Sequence, residues 1–400
     1  MGEGRNLVGV DIGTSSIKVC QIREVRRAPS LVRFGFAPLP PQTIVDGQVM
    51  DAGNVVEVLQ RVFHDARIRQ KEVALSVSGQ SVIIRKITVP IMTAAELDEQ
   101  IHWEAEQHIP FDIKDVQVDY QVLRRRPEAS QMDLLLVAAK RDQINDYAQL
   151  ARDAKLRPVV CDIDAFTVQN LFEATRGLPP EQTIAIINVG ASLSSLNIVS
   201  NGISAFTREI ANGGNVITEE IQKQLNIPFE QAEAYKCGGS SADEADRPGM
   251  VPQQVIAVIE AVTDSIAAEI QRSLDFFMAT SGENEIAHIY LTGGTANLVA
   301  LAQAIERRAR VPVSAWAPTE GVAVEREVSG CARRQACAGA LKGDLQRVAR
   351  AAGRRPQVEG RGFFAGGSKC ETASIGRRVE HAGAGVGIDL DIAGRQREAP

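Results

Sequence analysis

Twice in this chain an apolar, strand-like run stops at a turn of glycine and small hydroxyl residues, and a second strand-like run follows at once. The first instance joins residues 7–10 to 17–22 through Asp11-Ile12-Gly13-Thr14-Ser15-Ser16. The second joins residues 184–189 to 193–200 through Gly190-Ala191-Ser192. Two halves that open with the same strand–turn–strand unit point to an internal duplication, with a sheet and covering helices in each half. A third corner, Leu291-Thr292-Gly293-Gly294-Thr295, ends a strand-like run at 286–291 and leads to helical spacing over 298–308. Gly213-Gly214 stands before another helix, at about 215–225.

The remaining pattern alternates strands and helices, as an α/β fold requires. Residues 31–36 and 73–77 read as strands. Residues 54–63 read as a helix with Val55, Val58, Leu59 and Val62 on one face and Asp51 or Asn54 as its cap. Residues 80–157 then interrupt the first half. They hold a strand ended by Pro90, a helix opened by a Thr93–Glu96 capping box and stopped at Ile109-Pro110, strands at 116–123 and 133–139, and a helix at 142–155. Helices follow at 229–236 and 251–279, the latter with a stripe that includes Val255, Val258, Val262, Ile266 and Ile270. The chain thus divides into a first-lobe half (1–79), an inserted subdomain (80–157), a connection with a first-lobe helix (158–182) and a second lobe (183–318). Beyond residue 318, Gly, Ala and Arg crowd in. Residues 319–352, with a helix at 332–352, are read as completing the first lobe, and 353–400 as a disordered or aberrant tail.

Composition narrows the ligand class. A net charge of −6, with no long Lys/Arg run before residue 330, excludes nucleic acid, whose phosphates need a basic face. No stretch approaches the roughly 20 apolar residues of a spanning helix, and the charged N-terminus shows no secretory signal. Any membrane role is therefore expected to come through a partner. The six cysteines are scattered, without CxxC pairs or metal-ligand spacing, and read as reduced thiols of a cytoplasmic protein.

The first turn brings acid, hydroxyls and base within eight positions. Backbone N–H groups and the hydroxyls of Thr14 and Ser15 suit phosphate oxygens, and Lys18 can reach the same anion. Asp11 can hold the waters of Mg²⁺. Asn188 and the turn Gly190-Ala191-Ser192 could grip the same phosphates from the opposite lobe. Gly293 and Gly294 let a flat ligand approach the backbone, and Gly213-Gly214 adds a close approach at a positive helix terminus. Alone, each is an ordinary turn; their order and spacing make the case. Trp103 and Phe111 are expected in the core rather than in direct contact with a peptide, and His102 and His108 at the surface or as caps. No Ser/His/Asp set with a nucleophile context is visible.

That order of turns resembles the superfamily of actin, sugar kinases and heat-shock chaperone ATPases, over residues 7–315. The inserted block resembles that of the cell-division protein FtsA, as does Gly213-Gly214-Asn215-Val216-Ile217-Thr218-Glu219. More specifically, Trp103-Glu104-Ala105-Glu106-Gln107-His108-Ile109-Pro110-Phe111 closely resembles the PilM family of type IV pilus assembly proteins. So do Asp162-Ile163-Asp164-Ala165-Phe166-Thr167-Val168-Gln169-Asn170 and Glu269-Ile270-Gln271-Arg272-Ser273-Leu274-Asp275-Phe276.

The resemblance implies an α/β fold of the actin-like ATPase type, with ribonuclease H-like duplicated lobes and an FtsA-type inserted subdomain. It implies ATP and Mg²⁺ between the lobes. Asp11 would organise the metal, and Gly13, Thr14, Ser15 and Lys18 would hold phosphate. Gly190, Ala191 and Ser192 would form the second phosphate turn, and Gly213 and Gly214 would line the cleft. Glu233 and Lys236 would approach ribose and base, and Gly293 and Gly294 would pass beside the adenosine. No catalytic residue is assigned beyond the candidates Asp162 and Asp164. Many superfamily members carry aspartate where this chain has Asn188. Losing that charge, worth about 1–4 kcal/mol at a few ångströms in a partly solvated site, implies a switch or scaffold that is at most a slow ATPase.

The implied place is the cytoplasmic face of the inner membrane, which the chain reaches only indirectly. The implied partner is the N-terminal peptide of PilN, in a groove beside block 80–157, with pilus motor ATPases and self-association as further candidates. The family's closing strand fits 311–313, and 335–341 supplies part of its final helix. The alternative is a filament-forming, membrane-tethered division protein like FtsA, which needs a terminal amphipathic helix; Phe363-Phe364 lies in no sustained apolar stripe. A small-molecule kinase on this fold would need a base, for which only Asp162 or Asp164 offers itself.

Overall fold

The structure, a computed structural model, describes residues 7–25, 28–238, 252–282, 285–318, 320, 322–324 and 387–389. Every residue of β1 (Val8–Ile12) is buried, as a central strand requires. It pairs antiparallel with β2 (Ser16–Val25), which pairs antiparallel with β3 (Ala28–Pro38). A short ribbon, β4 (Ile44–Val45) and β5 (Gln48–Val49), leads into α1 (Ala52–Asp65). Asp51 caps α1 by accepting from the Asn54 N–H at 3.0 Å. Val55, Val58, Leu59 and Val62 of α1 enter the core, and the chain returns as β6 (Glu72–Val77), parallel to β1.

The chain then builds a separate three-stranded sheet from β7 (Val82–Pro90), β8 (Val116–Arg126) and β9 (Gln131–Lys140), with α2 (Ala94–His108) packed on one face. The capping box of α2 is reciprocal. Thr93 Oγ1 accepts from the Glu96 N–H, and Glu96 accepts from the Thr93 N–H at 2.7 Å. Leu97, Ile101 and Ala105, spaced one turn apart, form its buried stripe. Trp103, expected in the core, is instead 62% exposed. It sits two residues past Ile101, about 200° around the helix from that stripe. Phe111 does pack, half-buried, against this core, with Lys140 Nζ 4.6 Å from its ring centre. His102 and His108 lie at the surface. The next helix, α3 (Arg141–Asp153), sends Ile144, Tyr147, Leu150 and Ala151 into the first lobe's core. β10 (Arg157–Ile163) joins parallel to β6, and α4 (Asp164–Arg176) starts at its end.

The second lobe repeats the design. β11 (Thr183–Val189), β12 (Ser194–Ser200) and β13 (Ile203–Ile210) are antiparallel. α5 (Gly214–Leu225), α6 (Phe229–Lys236) and α7 (Gln253–Ser281) lead to β14 (His288–Thr292), parallel to β11. α8 (Val299–Ala309) leads to β15 (Val313–Ala315), parallel to β14. The strand orders β3-β2-β1-β6-β10 and β13-β12-β11-β14-β15 follow the same path. The two glycine hairpins therefore do open two copies of one topology. The inserted sheet fills the fourth-to-fifth-strand crossover of the first copy, where the second copy has α8.

Two further strands extend the first sheet: β16 (Ala323–Val324), parallel to β3, and β17 (Gly387–Asp389), antiparallel to β10. Residues 387–389 are thus laddered, contrary to the disorder expected of the tail, because β10 offers an otherwise open edge. The helix expected at 332–352, Cys331, Cys337, Cys370 and Phe363-Phe364 lie outside the described residues. An apolar core spans the two lobes: Leu31 and Phe34, Phe172 of α4, Ile184 and Ile186, and Trp316. Phe172 meets Tyr290 at 4.6 Å and Trp316 at 4.9 Å between ring centres.

Candidate functional site

The β1–β2 hairpin sets Asp11 opposite Lys18 in register, and their side chains pair at 3.1 Å with 2% and 5% exposure. Gly13 lies over this pair. A methyl there would come 3.6 Å from Lys18 Nζ and 3.9 Å from Asp11 Oδ1. Its N–H closes the turn onto the Ser16 carbonyl at 3.1 Å, which leaves Thr14 and Ser15 at the tip. Lys18, expected to reach an anion, is held by Asp11 in this state.

The second turn closes in the same way, Gly190 N–H to the Leu193 carbonyl at 2.9 Å. Its Ser192 hydroxyl donates to Thr14 Oγ1 at 3.0 Å, joining residues 178 apart across the two lobes. Asn188 is buried at the end of β11.

Around this turn the glycines permit contacts that no other residue could. A methyl on Gly213 would stand 2.5 Å from the Ala191 carbonyl oxygen, and one on Gly214 would stand 2.5 Å from Thr295 Oγ1. Gly293, at φ +97°, lies against the Val189 carbonyl and Asn188 Oδ1. Thr295 Oγ1 donates to the Gly190 carbonyl at 2.9 Å. All three glycine corners and the start of α5 therefore meet in one place.

One expectation is corrected here. The N-terminus of α5 was to offer positive N–H groups to a ligand, but the Gly214 N–H donates to the Gly190 carbonyl at 2.9 Å and the Asn215 N–H to the Ala191 carbonyl at 2.7 Å. These donors clamp the second turn. Beside them, Lys236 Nζ donates to the Gly214 carbonyl at 3.2 Å and to Thr218 Oγ1 at 2.8 Å, and pairs with Glu233 at 2.5 Å. Burial, then the Glu233 charge, pushes the neighbouring Cys237 thiol up. Gly294 follows Gly293 into a short 3₁₀ turn, Gly294–Asn297.

Asp162 and Asp164 lie where β10 runs into α4, both buried, with Asp162 Oδ1 accepting from the Ile163 N–H at 2.7 Å. β1, β6 and β10 are parallel, so this junction shares the sheet end that carries the first turn. Burial, then these two carboxylates, holds the Cys161 thiol far above its ordinary range. Three further participants, Thr295, Asn215 and Thr218, stand in quoted runs, where the sequence assigns them no role at the site. Thr295 sits in a run already singled out. Thr218 follows Gly214 by one helical turn, a spacing that could have found it.

A sequence profile described as type IV pilus assembly protein PilM matches residues 9–338. The chain belongs to the PilM family. A solved structure described as the PilM-PilN type IV pilus biogenesis complex is 25% identical, with a TM-score of 0.76 over 88% of this chain and 100% of that one. Cell division protein FtsA of Neisseria meningitidis serogroup B is 24% identical over 357 residues, 78% of this chain and 83% of that protein. FtsA of Pseudomonas aeruginosa is 22% identical over 355 residues, 79% and 84%. The PilM-family fold of this chain is the actin-like ATPase fold, its two lobes built on matching sheets.

Proposed function

We propose that this PilM-family chain is an ATP-binding scaffold of the type IV pilus assembly platform, on the cytoplasmic face of the inner membrane. The observation that carries the nucleotide reading is the cleft where the corners at Gly13, Gly190 and Gly293 converge, bridged by Thr14 and Ser192. The donor set fits a triphosphate. Thr14, Ser15 and Ser192 bring hydroxyls from both lobes, and Gly13 keeps the approach to Asp11 and Lys18 free of a side chain. Lys18 would turn from Asp11 to phosphate, and Asp11 to the waters of Mg²⁺, which takes one or two carboxylates beside the phosphates. Glu233 and Lys236, tied to Gly214 through Thr218, would hold the nucleoside.

Bound ATP supplies a phosphoryl group that water can accept. Asn188 offers an amide and no charge at the second turn, so hydrolysis is slow and occupancy, not turnover, sets the state of the protein.

The named complex pairs a PilM with PilN, and the partner of this chain in our reading is likewise the N-terminal peptide of PilN. We assign it to the junction of the inserted sheet and the first lobe. Gln121 shares a face of β8 with Gln117, which accepts from Arg141 of α3, and the bulged Leu123 packs on the first lobe's core. The side-chain carbonyls of Gln121 on β8 and Gln143 on α3 are buried without a hydrogen-bond partner, and a peptide N–H reaching either would satisfy it.

The test is calorimetry of ATP–Mg²⁺ with wild type and Asp11→Asn, with and without a PilN N-terminal peptide. Saturable binding is expected, weakened at least about tenfold by Asp11→Asn. A folded wild type that binds no ATP would end the nucleotide reading, and one that ignores the peptide would end the partner reading. Rapid single-turnover hydrolysis would remove the assigned role of Asn188. The FtsA relatives keep a second reading in view, direct tethering to the bilayer. No helix among the described residues is long and apolar enough to cross a membrane. Co-sedimentation with lipid vesicles in the absence of any partner would favour tethering.

A further inference from the structure

Away from the cleft, the inserted sheet and the second lobe face each other through the outermost strands of their sheets. β7 ends the order β7-β9-β8, β13 ends the order β13-β12-β11-β14-β15, and the two do not pair. Between them lies a cavity of about 420 Å³ whose lining includes Arg85, Lys86, Phe206 and Phe276 and no carboxylate. Both cations are exposed. Phe276 is 54% exposed, its ring 5.9 Å from that of Phe206.

We propose that this slot receives an extended segment of a partner protein, with an acidic side chain next to an aromatic or aliphatic one, added as a strand along β7. The two walls differ in a way that selects β7. Its pairing with β9 runs unbroken from Val82 to Pro90, so its outer edge is a regular template for another strand. The register of β13 breaks at Ala205, where a bulge spoils the ladder and leaves β13 as a side wall. Adjacent strand positions point to opposite faces, so Arg85 and Lys86 would flank an added strand on both sides. Charge decides the occupant. A second copy entering by its own β7 would set four cations together, whereas an acidic segment neutralises them. Phe206 and Phe276 offer rings to its apolar neighbour.

The test pans a phage-displayed library of random linear peptides against the full chain and, in parallel, against the double variant Arg85→Glu/Lys86→Glu. Expected are enriched sequences with an acid beside an aromatic or aliphatic residue and no central proline, enriched on the wild type only. A synthetic consensus peptide, followed by fluorescence anisotropy, should bind the double variant and Phe276→Ser at least about tenfold more weakly, and should lose binding when its acid becomes lysine. Absence of enrichment, enrichment of basic or neutral sequences, or unchanged binding to both variants would overturn the proposal. So would a concentration-dependent dimer in sedimentation that Arg85→Glu/Lys86→Glu abolishes, because a second copy would then be the occupant. All three side chains are exposed, and thermal unfolding checks that the variants fold. No nucleotide is needed, so the result is separate from the fate of the ATP reading.

Discussion

Gly293 holds a backbone conformation that other residues rarely adopt, and a methyl there would stand 2.2 Å from the Val189 carbonyl oxygen. Gly293→Ala is therefore expected to lose about 1–3 kcal/mol to backbone strain and about 1–3 kcal/mol more to overpacking. Gly177 makes a matched control. It also has positive φ, at +78°, but no atom lies within 4 Å of a methyl there, so Gly177→Ala should show the strain alone. Urea unfolding of the two variants separates the contributions, and equal losses would show that the close approach of Gly293 to β11 is not tight. The Asp11–Lys18 pair is the other residue-scale commitment. Breaking a buried ion pair costs about 3–5 kcal/mol, so the ATP-free stability of Asp11→Asn has to be measured beside its binding.

At the scale of single elements, α2 separates periodicity from identity. Ile101→Ala should cost about 2–5 kcal/mol because its side chain fills the core of the inserted subdomain. Trp103→Ala, two positions on, should change stability by no more than about 0.5 kcal/mol, despite the larger side chain. A comparable loss from both in urea melts would contradict the exposed placement of Trp103. Strand β9 carries a pH prediction through Asp133. Burial pushes its carboxyl up, but hydrogen bonds from Thr88 at 2.8 Å and Arg126 at 2.7 Å, with the Lys86 and Arg126 charges, bring it below the ordinary 3.8. A carboxyl depressed in the folded state takes its proton first in the unfolded chain. Its contribution is complete above pH 3.8 and is lost as pH falls from there through the folded value. Asp133→Asn should therefore flatten the acid limb of an unfolding titration followed by circular dichroism.

For the whole molecule the question is whether two lobes behave as one. The apolar cluster around Phe172 and Trp316 draws on both sheets, and a buried chain of hydrogen bonds links α4 to the outer strand β13. Ser204 donates to Asn197 at 2.7 Å, and Asn197 donates to Gln169 of α4 at 2.8 Å. Phe172→Ala should cost about 3–5 kcal/mol. Because the lost packing lies between lobes, calorimetric unfolding should broaden or split into two transitions. A single, sharp, merely shifted transition would show that coupling runs through the hydrogen-bonded chain or the cleft instead.

Local order was legible in the sequence because it rests on spacing. The two glycine hairpins, the Thr93–Glu96 box, helix α6 at 229–236 and the cap of α1, narrowed to Asp51 or Asn54, need only neighbours within a few positions. The PilM-family motifs were legible for the same reason, being contiguous runs. What lay beyond the sequence were the particular contacts made by partners far along the chain. Periodicity marks which face of α2 is buried, yet it did not prevent Trp103, a large apolar residue, from being read as core. Glycine before a helix suggests an open anion site, but the Gly214 and Asn215 N–H groups are spent on a turn more than twenty residues earlier. The meeting of Thr14 with Ser192, and the unpaired approach of β7 to β13, arise only when separate sheets are set side by side. Short-range sterics and hydrogen bonding fixed the parts of this protein; the packing of one lobe against the other decided where they meet.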